Sequence, residues 1–212
     1  MGYDVFLRHG ETELNVQNRG APEKRVVNGQ VETPLTTHGR KQARNAGFDI
    51  LSRSYLDIRH VLCSDLGRTV ETADIVLRVL HLNLPIIKLP ALRERFAGLF
   101  EGKLEVEIYT KHPEYRDDPR FNRYRVDFAQ RAPGGENYTD VTERSRRALQ
   151  EHQIDCDRLI VSHLNTIRCM VGDLLGLPQQ QILQLPIPNA MPIILRRDGG
   201  RCELVDGLEI LT

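Results

Sequence analysis

An α/β fold with a mostly parallel central sheet is predicted by three features of the 212-residue chain. Short apolar runs alternate with segments of helical periodicity, the order expected of strands joined by crossover helices. Two of these runs, Val5-Phe6-Leu7 and Leu159-Ile160-Val161, lead directly into residues that suit a ligand site, Arg8-His9 and Ser162-His163. In open α/β sheets ligands bind beyond the carboxyl ends of the strands. No linker-like stretch and no internal repeat breaks the alternation, so residues 1–212 are read as one domain.

The elements follow in order. Residues 3–8 read as the first strand, and 17–35, mixing Gly, Pro and charge, as a long surface loop. From about Thr37 a helix is indicated, with Ala43, Ala46, Gly47, Ile50 and Leu51 near one face. Residues 59–63 form a second strand and 66–82 a second helix, with Val70, Ala73, Val76, Leu77 and Leu80 inward. Residues 85–89 give a third strand. The stretch 95–136, mixing arginines, aromatics and prolines, reads as an excursion over one end of the sheet. The Pro133-Gly134-Gly135 turn leads into a helix over 138–152, then a fourth strand at 158–162 and a helix at 166–175. A hairpin closes the chain, 189–196 with 201–205, turning at Asp198-Gly199-Gly200.

Composition narrows the function. Lys plus Arg number 29 and Asp plus Glu also 29, so the chain lacks the basic excess of a nucleic-acid binder or a polybasic membrane protein. The first residues form neither a signal-peptide core nor a membrane span, and Phe6 does not suit myristoylation at Gly2. Cys63, Cys156, Cys169 and Cys202 are scattered without a CxxC, as expected of buried free thiols in a reducing compartment. The expectation is a cytoplasmic protein.

If the strands ending at His9, Cys63 and His163 are neighbours, Arg8, His9, Arg68 and His163 converge at the top of the sheet, beside helix N-termini that favour an anion. Guanidinium forks hold phosphate oxygens, and a neutral imidazole is a capable nucleophile near pH 7. A leaving alkoxide needs a proton, and Glu94, just after the third strand, is the best-situated acid. Two other chemistries fit less well. Cysteine-based phosphatase spacing from Cys63 requires Arg at 69, where the chain has Thr69. Zinc on His9, His38 and His163 would be repelled by Arg8.

The ordered set of motifs resembles the histidine phosphatase (phosphoglycerate-mutase-like) superfamily. It comprises Arg8-His9-Gly10-Glu11-Thr12 with Asn15, Thr33-Pro34-Leu35-Thr36 with Gly39, and Ser64-Asp65-Leu66-Gly67-Arg68-Thr69 with Glu71-Thr72-Ala73. Leu92-Arg93-Glu94 with Gly98, Glu101 and Gly102, then Pro133-Gly134-Gly135-Glu136, then Val161-Ser162-His163 with Arg168, continue it to about residue 195. The resemblance implies a three-layer α/β/α sandwich with a small cap, here 95–136, over the carboxyl edge of the sheet. It implies His9 as the phosphorylated nucleophile, Glu94 as proton donor, and His163, Arg8, Arg68 and Asn15 around the phosphate. Leu164, Asn165, Arg168, Arg123 and Arg131 are further substrate-contact candidates.

It also implies a small phosphorylated metabolite as substrate, such as a sugar phosphate or bisphosphate, with no metal, cofactor, nucleic acid or membrane partner. Homodimerisation is left open. Phosphatase activity is the leading expectation; phosphoglycerate mutase and a non-catalytic binding member are the alternatives. Two segments, 8–15 and 112–138, also resemble the fructose-2,6-bisphosphatase domain, as does the spacing from His163 to Arg168-Cys169. Leu164 departs from the Gln or Gly usual after the second histidine, and Gly134 from the basic residue after the cap proline. The loop 20–32 is expected to reach the pocket mouth.

Overall fold

The computed structural model describes residues 1–121 and 123–208. Six strands form one sheet: β1 (Gly2–Arg8), β2 (Ile58–Cys63), β3 (Ile86–Lys88), β4 (Asp157–Ser162), β5 (Ile193–Asp198) and β6 (Arg201–Asp206), in the order β3-β2-β4-β1-β5-β6. The first four in that order run parallel, and β5 and β6 are added antiparallel. The expected mostly parallel sheet is therefore present, with the hairpin at its edge.

Alternation along the strands builds two cores. Val5, Leu7, Val61, Leu159 and Val161 face one side, where they pack with α2 (Thr37–Ser52) and α3 (Gly67–Val79) through Ala46, Ile50, Ala73 and Val76. Phe6, Leu62 and Ile160 face the other, against α6 (Tyr138–Glu151), α7 (Leu164–Leu174) and the segment after α8 (Gln179–Gln184). Strands buried on both faces read as continuous apolar runs, which is why their positions were visible in the sequence.

Between the layers lies a buried charge. Asp4 on β1 is fully buried and sits in register with Arg158 on β4, which grips it through two bonds of 2.7 Å. Arg197 on β5 adds a third at 2.8 Å. Arg158 also donates to the carbonyls of Leu149 and His152, tying the end of α6 to the sheet.

Several local expectations need correction. Residues 17–35 are not simply a surface loop. The chain forms α1 (Glu13–Gly20), started by a Thr12–Asn15 capping box, then a single 3-10 turn at Pro22–Lys24. Because α1 buries no residue, it carries no apolar periodicity to read. Further on, Val27, Thr33 and Leu35 are buried. Leu51 is half exposed rather than inward, since the α2 stripe ends at Ile50. Of the cysteines, Cys63 and Cys169 are buried but Cys156 and Cys202 are only partly so.

The 95–136 excursion has its own packing. It contains α4 (Glu105–Lys111) and α5 (Pro113–Asp117), and Phe100 sits among Tyr109, Tyr115 and Tyr124. Val27, Ala97, Ile108 and Ala132 complete this small cluster. Its root is tight: Gly98 has φ +54°, and a Cβ there would lie 2.2 Å from the carbonyl of Pro133. Among the described residues, no helix is long and apolar enough to cross a membrane.

Replacing Asp4 with Ala should leave Arg158 buried without a counter-charge. Breaking a buried pair this way costs about 3–5 kcal/mol. Urea denaturation should show a loss of that size, and a loss under about 1 kcal/mol would contradict the clamp.

Candidate active site

The register Arg8↔Ser162 sets the site. The next residues, His9 and His163, emerge from neighbouring parallel strands with ring centroids 5.2 Å apart and edge to face. The His9 amide donates to the Ser162 carbonyl at 3.1 Å, extending the ladder one step. β2 ends beside β4, which brings Ser64 and the start of α3, with Arg68, to the same corner.

Hydrogen bonding fixes the tautomer of His9. His9 Nδ1 lies 2.8 Å from the Gly10 carbonyl, which can only accept, so Nδ1 carries the proton and Nε2 keeps its lone pair. Burial, followed by the charges of Arg68 and Arg8, holds His9 well below the ordinary imidazole range. His163 is fully buried, and burial, Arg68 and His9 lower it in the same sense. Its Nε2 sits 2.9 Å from Ser64 Oγ, which already accepts from the Leu66 amide. A Ser64 hydroxyl that donates to His163 Nε2 leaves Nδ1 as an N–H donor.

Around these rings are buried nitrogens without partners among the described residues: Arg8 Nε, Arg68 Nε and His163 Nδ1. Buried donors left unpaired are costly, and a tetrahedral oxyanion satisfies several at once. The guanidinium groups are nevertheless anchored. Arg8 donates to the Ile187 carbonyl at 2.9 Å. Arg68 donates to the Val31 and Gly29 carbonyls at 2.7 and 2.9 Å. Burial lowers Arg8 to about 10.

Glu94 is nearly buried, and its two oxygens accept from the Arg95 amide (2.7 Å) and the Asn165 amide (3.2 Å). Each oxygen retains a lone pair that can hold a proton. The loop carrying it is secured at many points. Ser162 Oγ donates to Leu92 O, Thr166 Oγ1 to Arg93 O, and Arg144 to the carbonyls of Ala91, Arg93 and Glu94. Arg144 is itself held by the Glu136 carboxylate at 2.7 Å. Arg93, next to Glu94, turns away to pair with Asp65.

Arg8, His9, Asn15, Arg68 and Glu94 line a cleft of about 570 Å³, while His163, fully buried beside His9, is not among its lining residues. Leu164, Asn165 and Arg168 also line it. The loop 20–32 does reach the mouth, through residues 25–29. Arg123 and Arg131 do not reach the cleft. Both are exposed, and Arg131 pairs with Asp140. The cap arginine that lines the cleft is Arg125, beside Tyr124, and Arg95 lies at the cap's root. Sequence reading missed Asn189, whose Nδ2 donates to the His9 carbonyl at 2.8 Å from a segment with no motif of its own.

Other carboxylates are committed elsewhere. Glu11 is bonded by Arg19 and Thr36 and lies below the usual range. Glu101 receives the amides of Gly29, Val31 and Ala97. Burial pushes the Cys63 thiol up to about 12, which removes it as a nucleophile. Among the described residues, no three His, Cys, Asp or Glu side chains are grouped to hold a metal ion.

The model of the histidine phosphatase superfamily (branch 1) matches residues 5–207. The chain belongs to that superfamily. A relative from Photorhabdus laumondii, named "Probable phosphoglycerate mutase GpmB", is 33% identical over 189 residues, covering 87% of this chain and 80% of the relative. Among solved structures, the alpha-ribazole phosphatase from Shigella flexneri is 27% identical with a TM-score of 0.78, covering 96% of this chain and 94% of the other. A mycobacterial glucosyl-3-phosphoglycerate phosphatase is also 27% identical, with a TM-score of 0.76 and 96% coverage of each chain. These histidine phosphatases share the expected fold.

His9 and His163 are neutral when folded and regain their ordinary pKa near 6.5 when unfolded. Below pH 6.5 the unfolded chain therefore binds up to two more protons, and stability falls as pH falls. The slope from this pair approaches about 2.7 kcal/mol per pH unit. Denaturation at pH 7.0, 6.0 and 5.5 should show the wild type losing stability faster than His163→Asn, and equal slopes would refute it.

Ser64→Ala should free the His163 tautomer while leaving the fold intact. One hydrogen bond of about 1 kcal/mol corresponds to roughly fivefold weaker binding. The inhibition constant of inorganic phosphate should rise by that factor, with Ser64→Thr restoring it; an unchanged constant would remove Ser64 from this role.

Proposed function

We propose that this chain hydrolyses phosphomonoesters of small metabolites through a phosphohistidine intermediate. The observation that carries the reading is a buried, neutral His9 with a free Nε2 beside the Nε donors of Arg8 and Arg68, which have no partner among the described residues, with Glu94 on the same cleft.

In the first half-reaction, His9 Nε2 attacks phosphorus in line, and the phosphorus–oxygen bond to the alcohol breaks. The protonated Glu94 gives its proton to the leaving oxygen, so the alcohol departs neutral. Arg8, Arg68 and the Nδ1–H of His163 hold the equatorial oxygens, with Asn15 at the edge and the amino end of α7 adding its dipole. The Gly10 carbonyl accepts from Nδ1–H and stabilises the ring as it gains positive charge. In the second half-reaction, Glu94, now a carboxylate, takes a proton from water as the water attacks phosphohistidine. Phosphate leaves and His9 returns to its starting state.

The reading includes residues 1–212 acting as one unit, with 95–136 as the cap. A mutase is the second reading, supported by the name of the relative from Photorhabdus laumondii. There the phosphoryl group passes to a hydroxyl instead of water, through the same first half-reaction. Retention of both His9 and Glu94 argues against a member that only binds.

His9→Ala should abolish turnover and acid-labile labelling of the protein. Glu94→Gln should slow phosphorylation by a sugar phosphate roughly 10²–10⁴-fold, but far less by p-nitrophenyl phosphate, whose leaving group scarcely needs a proton. Rapid-quench measurement with both esters tests this. An equal slowing for the two esters would show that Glu94 is not the acid. Product analysis with phosphoglycerate separates release of phosphate from transfer between hydroxyls.

A further inference from the structure

Glu101 and Gly102 belong to the motif set, yet no step of the proposed chemistry uses them. The Glu101 carboxylate faces backbone instead. Its Oε1 accepts the amides of Gly29 and Val31 at 3.0 and 2.8 Å, and its Oε2 accepts that of Ala97 at 3.0 Å. The chain around Glu101 is held in turn, because Gly102 donates to the Val27 carbonyl and Val27 to the Lys103 carbonyl, both at 2.9 Å. The approach at Gly29 is close: a Cβ there would lie 2.5 Å from Glu101 Oε2 and 2.6 Å from the Arg95 carbonyl. A side chain at this position would have to displace one or the other.

The same turn carries Arg68. Gly29 and Val31 each give an N–H to Glu101 and a carbonyl to Arg68, whose Nη2 and Nη1 bond them at 2.9 and 2.7 Å. Arg68 is buried, and its terminal nitrogens bond these carbonyls rather than a carboxylate. Burial lowers the guanidinium from its ordinary value, and the charges of Glu94, Glu32 and Glu101 oppose that shift. The turn engages only part of the five-donor fork, and Nε has no partner among the described residues. A planar fork recognises an oxyanion well only when its plane is fixed, and two carbonyl bonds to one short turn fix it. Amide bonds to a carboxylate are charge-assisted, which makes that turn stiff. The turn also touches the loop of Glu94, whose carbonyl accepts from Gln30 Nε2 at 3.0 Å.

We propose that Glu101 is a positioning residue for phosphate binding: through the 29–31 turn it holds the Arg68 guanidinium in the orientation that meets the phosphate. It touches neither the substrate nor the reacting atoms. This rests on the reading of Arg68 as a phosphate ligand. A carboxylate near an anion site is unfavourable as a charge, so its two effects on affinity have opposite signs. Removing it strengthens phosphate binding if Glu101 is only a neighbouring charge, and weakens it if Glu101 is the brace.

Calorimetric titration of the full chain with inorganic phosphate reads the pocket without turnover. Glu101→Gln keeps the shape but leaves one acceptor oxygen for three amides. It should weaken phosphate binding about tenfold, the scale of one lost hydrogen bond to a charged group. Gly29→Ala keeps the Glu101 charge while pressing a methyl against the carboxylate, and it should weaken binding in the same direction. Glu101→Asp, which retains both oxygens, should bind phosphate more tightly than Glu101→Gln. Arg68→Met then separates the brace from its target. With p-nitrophenyl phosphate, whose leaving group scarcely needs the acid, Glu101→Gln should lower kcat/KM about tenfold in the wild type. In the Arg68→Met background the same change should have little effect, whereas general damage to the fold lowers kcat/KM equally in both. Unchanged or tighter phosphate binding in Glu101→Gln, no gain in Glu101→Asp, or an equal loss in both backgrounds would overturn the proposal. If Arg68→Met binds phosphate as tightly as the wild type, the reading of Arg68 as a ligand fails and takes the brace with it. If Arg68→Met weakens binding and Glu101→Gln does not, only the brace fails.

Discussion

The pairing of Arg8 with Ser162 across two parallel strands decides what the rest of the cleft can do. Parallel strands in register deliver equivalent residues to the same edge, so two histidines one step further on meet edge to face. Neither could be brought there by a loop with comparable accuracy, because each backbone is locked into the sheet up to the preceding residue. The cost is crowding: two imidazoles and two guanidinium groups share one buried corner. The protein tolerates it by keeping the imidazoles neutral and tying each guanidinium to main-chain carbonyls.

Glu94 is held by a different strategy. Glu94 lies past the short edge strand β3, where the sheet offers little support. Side chains from β4, α6 and α7 compensate by bonding the carbonyls of residues 91–94 directly. Arg144 links that loop to Glu136 at the root of the cap, so Glu94 and the cap share one anchor. His9 is fixed by secondary structure and Glu94 by side-chain bonds.

Much of this was legible in the sequence because strands buried on both faces show as apolar runs, and Arg8, His9 and His163 follow those runs at once. Arg8, His9, Arg68, Glu94 and His163 belong to short motifs whose partners are set by the sheet. What was hidden has physical reasons. The helix α1 makes its capping bonds with polar side chains and buries nothing, so no periodicity announces it. Arg123 and Arg131 look equivalent to Arg125 in composition, yet only the packing of Tyr124 under the cap determines which arginine turns inward. Arg95 resembles any charged residue after a motif until Tyr138 and Tyr124 are seen to stack on it.

The bonds from Arg68 to the carbonyls of Gly29 and Val31 tie recognition to chemistry in a way that constrains how this protein can diverge. Those carbonyls belong to the same loop whose residues 25–29 form the mouth of the cleft, and Glu101 fixes its amides from the other side. A lineage that changes the length of this loop also moves the brace of Arg68. Surviving variants must therefore preserve the Gly29–Val31 turn while altering what precedes it. Specificity in such a scaffold drifts by substitution at the outer loop positions more readily than by insertion, and loops transplanted between relatives carry their consequences into the shared catalytic core.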